Sequence, residues 1–226
     1  VTVPSIDDAL VEVGANETLP LTIGGITGTG ALIDNESAQT VSSVSADTQI
    51  EGTSLVHTVT LSSASASATT HSFSLSGVSA TAGLDFSTAA NFSAGVTLAG
   101  GVLTVPAGVT SFTVTVPTLL DTIDEPSETT AIVVGGVSAT GTITDDDLPP
   151  SITTVEPGAP GVGDDAVVEG TSLVYNVALS NASSVATTFA FSLGGGTATA
   201  GLDYTNAPTF SNGVTLVAGN LIVPAG

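Results

Sequence analysis

The sequence predicts an all-β protein built from tandem sandwiches of short antiparallel strands. Three observations lead there: apolar residues recur with a period of two, turn-forming residues interrupt them at short intervals, and long stretches repeat. In LVHTVTL the set Leu55, His57, Val59 and Leu61 falls on one face, with Val56, Thr58 and Thr60 on the other. SFTVTVP likewise alternates Phe112, Val114 and Val116 against Thr113 and Thr115. Such alternation in β-branched residues, broken by Gly, Ser and Asn about every 8–12 residues, is the pattern of half-buried strands in a sandwich. No window of useful length has helical spacing.

The repeat sets the domain organisation. Residues 51–108 (EGTSLVHTVTLSSAS to GVTLAGGVLTVPAG) return 118 positions later as residues 169–226 (EGTSLVYNVALSNAS to GVTLVAGNLIVPAG), with about two thirds of positions identical. A partial copy opens the chain. VTVP at 1–4 answers VTVP at 114–117, and GGITGTGALID at 24–34 answers GGVSATGTITD at 135–145. The offsets of 113 and 111 place two extra residues near Val13–Asn16. The chain therefore reads as the last strands of one repeat (1–34), a complete repeat (35–147) and the first two thirds of a third (148–226), an excerpt of a longer array. A period near 118 is that of a whole domain rather than a solenoid coil.

Composition narrows the function. There are 21 acids and no Lys or Arg among 226 residues. Nucleic acid and anionic membranes are bound through Lys and Arg, so neither is an expected partner. Charged residues make up only 9% and apolar residues 42%, which favours a folded core over disorder. Zero Cys excludes disulfides and zinc–thiolate sites, and no apolar run is long enough to span a membrane. An enzyme is not expected: Trp is absent, no Lys or Arg is present to orient a substrate, and no Ser-His-Asp order or phosphate-binding loop occurs. Four Asn-x-Ser/Thr sequons (Asn16, Asn35, Asn91, Asn181) are close to chance in so Ser/Thr-rich a chain.

The acids fall in clusters. Between Gly52 and Leu120 the only one is Asp85, and between Gly170 and Gly226 the only one is Asp203. The junction Thr144–Gly170 alone carries Asp145, Asp146, Asp147, Glu156, Asp164, Asp165 and Glu169, with four prolines. Two carboxylates ~5 Å apart repel by roughly 3 kcal/mol at an effective dielectric near 20. Several gathered at one end need a divalent ion, or must spread apart or take up protons. Ca²⁺ takes six to eight oxygen ligands, whereas zinc or copper would draw on His or Cys. His57 and His71 are poor ligands here, since Tyr175 and Phe189 replace them in the next copy. The alternative is a set of solvated acidic loops. Against it stand the recurrence of the acids at matching positions and the lack of any basic neighbour.

GTATAGLDY at 196–204, GVSATAGLDF at 77–86, TGTITDDD at 140–147 and VPSIDDALVE at 3–12 together resemble Calx-β domains, immunoglobulin-like sandwiches found in calcium-regulated exchangers and in bacterial surface proteins. The Ala/Thr/Ser-rich tandem copies are most similar to repeat regions of large RTX-type adhesins. The resemblance implies a calcium site at one end of each sandwich. Its residues would be Glu51, Asp85, Asp121, Glu125, Asp145, Asp146 and Asp147 in the complete repeat, Glu169 and Asp203 in the third, and Asp7, Asp8, Glu12 and Asp34 in the opening copy. Leu120 stands where the family has a second Asp, and Asp124 is the candidate to replace it.

The expected function is that of a structural spacer in a long extracellular or cell-surface protein, stiffened by Ca²⁺ at loop ends and junctions, with neighbouring repeats as partners. One rival is an adhesion module that grips a glycan or protein. Another is a subunit of a surface fibre, in which residues 1–34 of one copy complete residues 148–226 of another.

Overall fold

The computed structural model describes residues 1–12, 16–158 and 166–226; every regular element among them is a strand. The chain divides into two compact units, Val1–Leu120 with Ser127–Thr144, and Asp121–Pro126 with Asp145–Gly226.

The first unit opens with β1 (Leu10–Val11), β2 (Glu17–Ile23) and β3 (Ile26–Leu32). The sandwich follows, from β4 (Val41–Val44), β5 (Asp47–Ile50), β6 (Ser54–Leu61), β7 (Ala64–Ser65), β8 (Thr69–Gly77) and β9 (Asn91–Phe92) to β10 (Thr97–Ala99), β11 (Val102–Val105), β12 (Ser111–Pro117), β13 (Glu128–Val134) and β14 (Val137–Thr144). One sheet has the order β10-β11-β8-β13-β14-β5, the other β4-β6-β12-β9. The alternation read from sequence is the burial pattern found. Leu55, His57, Val59 and Leu61 of β6 are buried, as are Phe112, Val114 and Val116 of β12, while Val56 and Thr58 face out. With Phe86, Leu103, Val105, Ile132 and Val134 they form the core.

Both histidines point inward. His57 is fully buried with Nδ1 2.8 Å from the Ser45 carbonyl, and His71 lies near Thr69, where burial pushes its pKa down. The core is tight enough to dictate a glycine. A Cβ on Gly141 would sit 2.6 Å from both Leu55 Cδ1 and Thr130 Oγ1, inside van der Waals contact. Gly135 and Gly136 both have positive φ, as the two-residue turn between β13 and β14 requires.

The second unit contains β15 (Ile152–Pro157), β16 (Tyr175–Leu179), β17 (Thr187–Ala190), β18 (Thr215–Val217) and β19 (Asn220–Val223). β15 pairs with β16, and the other sheet has the order β17-β19-β18. The sequence repeat is repeated in register. Thr187 pairs with Val223 as Thr69 pairs with Val105, and Leu216 with Leu221 as Leu98 with Leu103. The Phe191–Phe210 edge-to-face contact at 5.6 Å copies Phe73–Phe92 at 5.4 Å. β15 is the exception. It meets β16 as β4 meets β6, with a bulge at the same place, yet it follows β4 by 111 residues rather than 118. The extra length falls between β15 and β16, a span that includes residues 159–165. Asp164 and Asp165 lie outside the described residues, as do residues 13–15 in the stretch where the opening copy is longer.

Overpacking a filled core costs about 1–3 kcal/mol. Gly141→Val is expected to lower unfolding free energy by about that much, measured by urea titration, whereas Val56→Thr on the exposed face is expected to leave it nearly unchanged.

Candidate metal centre

The carboxylates gather in loops that the strands bring together, and one loop is built twice. In the first unit Asp8 Oδ1 accepts the Leu10 N–H at 2.8 Å, Asp34 Oδ2 the Glu12 N–H at 3.1 Å, and Asp34 Oδ1 the Glu36 N–H at 3.2 Å. In the second unit Asp121 Oδ1 accepts the Ile123 N–H at 2.7 Å, Asp145 Oδ2 the Glu125 N–H at 3.1 Å, and Asp145 Oδ1 the Asp147 N–H at 3.3 Å. The two sets match residue for residue. Backbone N–H groups thus stand where Lys or Arg, absent from this sequence, would otherwise donate.

A third feature is shared. The Val11 carbonyl accepts from the Ala66 N–H at 2.8 Å and from Ser65 Oγ at 3.2 Å. At the matching place the Asp124 carbonyl accepts from the Ser184 N–H at 2.9 Å and from Ser183 Oγ at 3.1 Å. In each unit the acidic loop is therefore tied by a backbone bridge to the turn after the strand that matches β6. Asp124 occupies the position of Val11, and its Oδ2 accepts a second bond from Ser183 Oγ at 2.7 Å.

The A-G-x-D turn also recurs. Asp85 Oδ2 accepts the Thr81 N–H, and Asp203 Oδ2 the Thr199 N–H at 2.7 Å. Carboxylate oxygens of Glu51, Asp121 and Asp147 lie within 4.8 Å of one another, as do those of Asp85, Glu125 and Glu128. Acidic clusters of this kind could hold a metal ion. The donor set is all oxygen, which suits a hard divalent cation and gives a thiophilic one nothing to hold. Glu51 is buried, whereas Asp7, Asp8, Asp146, Glu169 and Asp203 are exposed. Asp7 accepts from the Asn35 amide at 3.2 Å.

Crowding shows in the titration of two groups. Loss of surrounding water, then the charges of Asp145, Asp146, Asp121 and Asp124, raise the Asp147 pKa above 3.8. Desolvation and then Asp8, Asp34 and Glu17 raise that of Glu12 above 4.5. Asp34 is held below its ordinary value, chiefly by the hydrogen bond it shares with Glu36, which is raised in turn. Glu36 and Glu128 were not among the residues picked from sequence. Glu36 stands 111 positions before Asp147, and Glu128 the same distance after Glu17, so aligning the opening copy acid by acid would have found both.

No family model matches the sequence, and no curated protein matches it.

A carboxyl whose folded pKa is raised stabilises the fold below its unfolded pKa and loses that contribution as pH rises through the folded value. Glu12, Glu36 and Asp147 are therefore expected to make the metal-free protein less stable as pH rises past their ordinary carboxyl values. If these groups hold a divalent cation, the decline is expected to vanish when one such as Ca²⁺ is added at saturation, because a cation there takes the place of the protons. Melting temperature against pH, with chelator and with calcium, reads this directly. Parallel curves would mean that these carboxylates do not hold the ion.

Proposed function

We propose that the chain is a run of spacer repeats from an extracellular surface protein, in which Ca²⁺ held by the acidic loops stiffens the array. One observation carries the reading: the same acidic loop, with the same carboxylate-to-backbone bonds and the same bridge to a following turn, is built in both units. A loop that serves only as a solvated surface has no need to conserve both its internal bonds and its docking partner.

In this reading the ion acts on the loop and the loop acts on its neighbour. Asp121, Glu125, Asp145 and Asp147 sit on one short segment and on the stretch after β14, and repel one another without a cation. Glu51, Asp85 and Asp146 add donors in the complete repeat, and Glu169 and Asp203 hold the matching places in the next. A bound Ca²⁺ draws these groups together and fixes the backbone at Asp124, whose carbonyl and carboxylate grip Ser183 and Ser184. Fixing that backbone removes freedom that a Pro/Gly-rich connection otherwise allows. The extracellular setting rests on the resemblance to calcium-dependent surface repeats and on millimolar calcium being available there.

Calorimetric titration of the chain is expected to show calcium binding tighter than millimolar, weakened at least tenfold by Asp145→Ala. Small-angle scattering is expected to show a longer, less flexible particle with calcium than with chelator. Binding no tighter than millimolar, with scattering unchanged by chelator, would remove the spacer-stiffening role.

A further inference from the structure

The β2–β3 ribbon and the open edge of β17 are two halves of one sheet. In the sandwich, β13 lies between β14 and β8, pairing Thr130 with Gly77, Ile132 with Leu75 and Val134 with Phe73. The ribbon reproduces the β13–β14 hairpin register for register. Glu17 pairs with Leu32 as Glu128 pairs with Ile143, and Ile23 with Ile26 as Val134 with Val137. Yet among the described residues β2 has no strand on its other side, and neither has β17.

The exposed side chains are those that the sandwich buries. Ile132 and Val134 are 0% exposed, while their counterparts Leu21 and Ile23 are 43% and 63% exposed. On the acceptor side Leu55 is 0% exposed and its counterpart Leu173 is 41%. Tyr175, Val177 and Leu193 are exposed in the same way. Strand length follows the same logic. β8 runs to Gly77, and its second half, Phe73–Gly77, is the part paired with β13. β17 stops at Ala190, so the matching second half, residues 191–195, is not strand. β6 begins at Ser54 beside Pro117 of β12, whereas β16 begins only at Tyr175. Each strand falls short where its counterpart's neighbour would lie.

We infer that the ribbon Glu17–Leu32 of one chain adds to β17 of a second copy, extending that strand through Phe191–Gly195. The repeat fixes the register: Leu19 opposite Gly195, Leu21 opposite Leu193, and Ile23 opposite Phe191. Val1 and Val3 then run along the β16 side, opposite Tyr175 and Leu173, as Val114 and Val116 run opposite His57 and Leu55. A free strand edge is a template for such addition; Pro20, at the place of Ala131, has no N–H to donate, so the apolar face of the ribbon supplies burial besides the remaining backbone bonds. Donor and acceptor are different surfaces, so the contact is head-to-tail and propagates into chains of molecules. The inference is independent of the calcium reading, because none of its contacts uses a carboxylate.

The sequence has no cysteine, which makes the test clean. The double variant Leu21→Cys/Leu193→Cys changes two exposed side chains, and circular dichroism checks that it folds. On mild oxidation, with calcium or with chelator, it is expected to give a ladder of covalent oligomers. The adjacent-residue control Thr22→Cys/Leu193→Cys is expected to give about tenfold less, since successive side chains of a strand face opposite ways. A closed, oxidised monomer would show that the ribbon folds back on its own chain and would overturn the inference. So would equal ladders from both variants, or no disulfide from either. The unaltered chain is expected to gain mass with concentration in light scattering, and a strict monomer at millimolar concentration counts equally against it.

Discussion

Negative charge without a single Lys or Arg is the constraint under which this molecule is built. Ordinary proteins settle carboxylates against Lys or Arg. Here the backbone does it: Asp34 and Asp145 each take two N–H groups, one from either side of an acidic loop, and Asp47 takes those of Thr48 and Val56. For Asp47 burial works against ionisation, yet the Val56 and Thr48 N–H groups, with the Gln49 amide and the nearby His57, prevail and hold its pKa low. Where loss of water is joined by the charge of neighbouring carboxylates, the opposite happens, and the pKa values of Asp147 and Glu12 are raised. The sandwich can be seen as the frame that keeps both situations in place. Its strands are almost free of charge, so their packing is indifferent to whether the loops are protonated, ionised or bridged by a cation.

That separation is why so much of the fold was legible. Alternation in LVHTVTL and SFTVTVP translates directly into which side chains are buried, because a strand has only two faces and the core lies on one. It even placed His57 inward, where a rule that polar residues face out would have failed. What the spacing hid was the altered distance between β15 and β16. The near-identity of residues 51–108 and 169–226 begins after that stretch, so it gives no hint that β15 keeps step with β4 at a different offset. Pro and Gly in that stretch mark a connection without fixing its length.

The candidate site was legible by type rather than by geometry. Asp34 and Asp145 stand out in sequence as acids closing a strand, but nothing there says that each grips two backbone N–H groups. Asp124 looked like a spare carboxylate for the one lost at Leu120. Its place is that of Val11, and it accepts two bonds from Ser183, so it belongs to the docking bridge as much as to the acidic group. Position within a loop decides this, and one-dimensional spacing cannot resolve residues two or three apart on a curved backbone. Glu36 was overlooked for the same reason, since its partner Asp147 is visible only once Asp34 and Asp145 are superposed.

Near-identical repeats carry a consequence of their own. When each copy uses the same register, backbone pairing alone does not distinguish a hairpin's own sheet from that of another copy. Only proximity favours the correct partner, through the high effective concentration of a tethered segment. The ribbon β2–β3 shows what such a hairpin looks like off its sheet: fully formed, in native register, with Leu19, Leu21 and Ile23 turned to solvent. Gly24 and Gly25 close the turn with positive φ, so the hairpin needs no sheet to set its pairing. β17 is the complement, a strand that ends where its neighbour is missing. A preformed donor hairpin lowers the entropic cost of pairing, which then falls on residues 191–195 of the acceptor and on the non-strand segments around Val1–Val3 and Leu173. On the inferred pairing, tethering within an array and association between separate molecules would differ only in effective concentration.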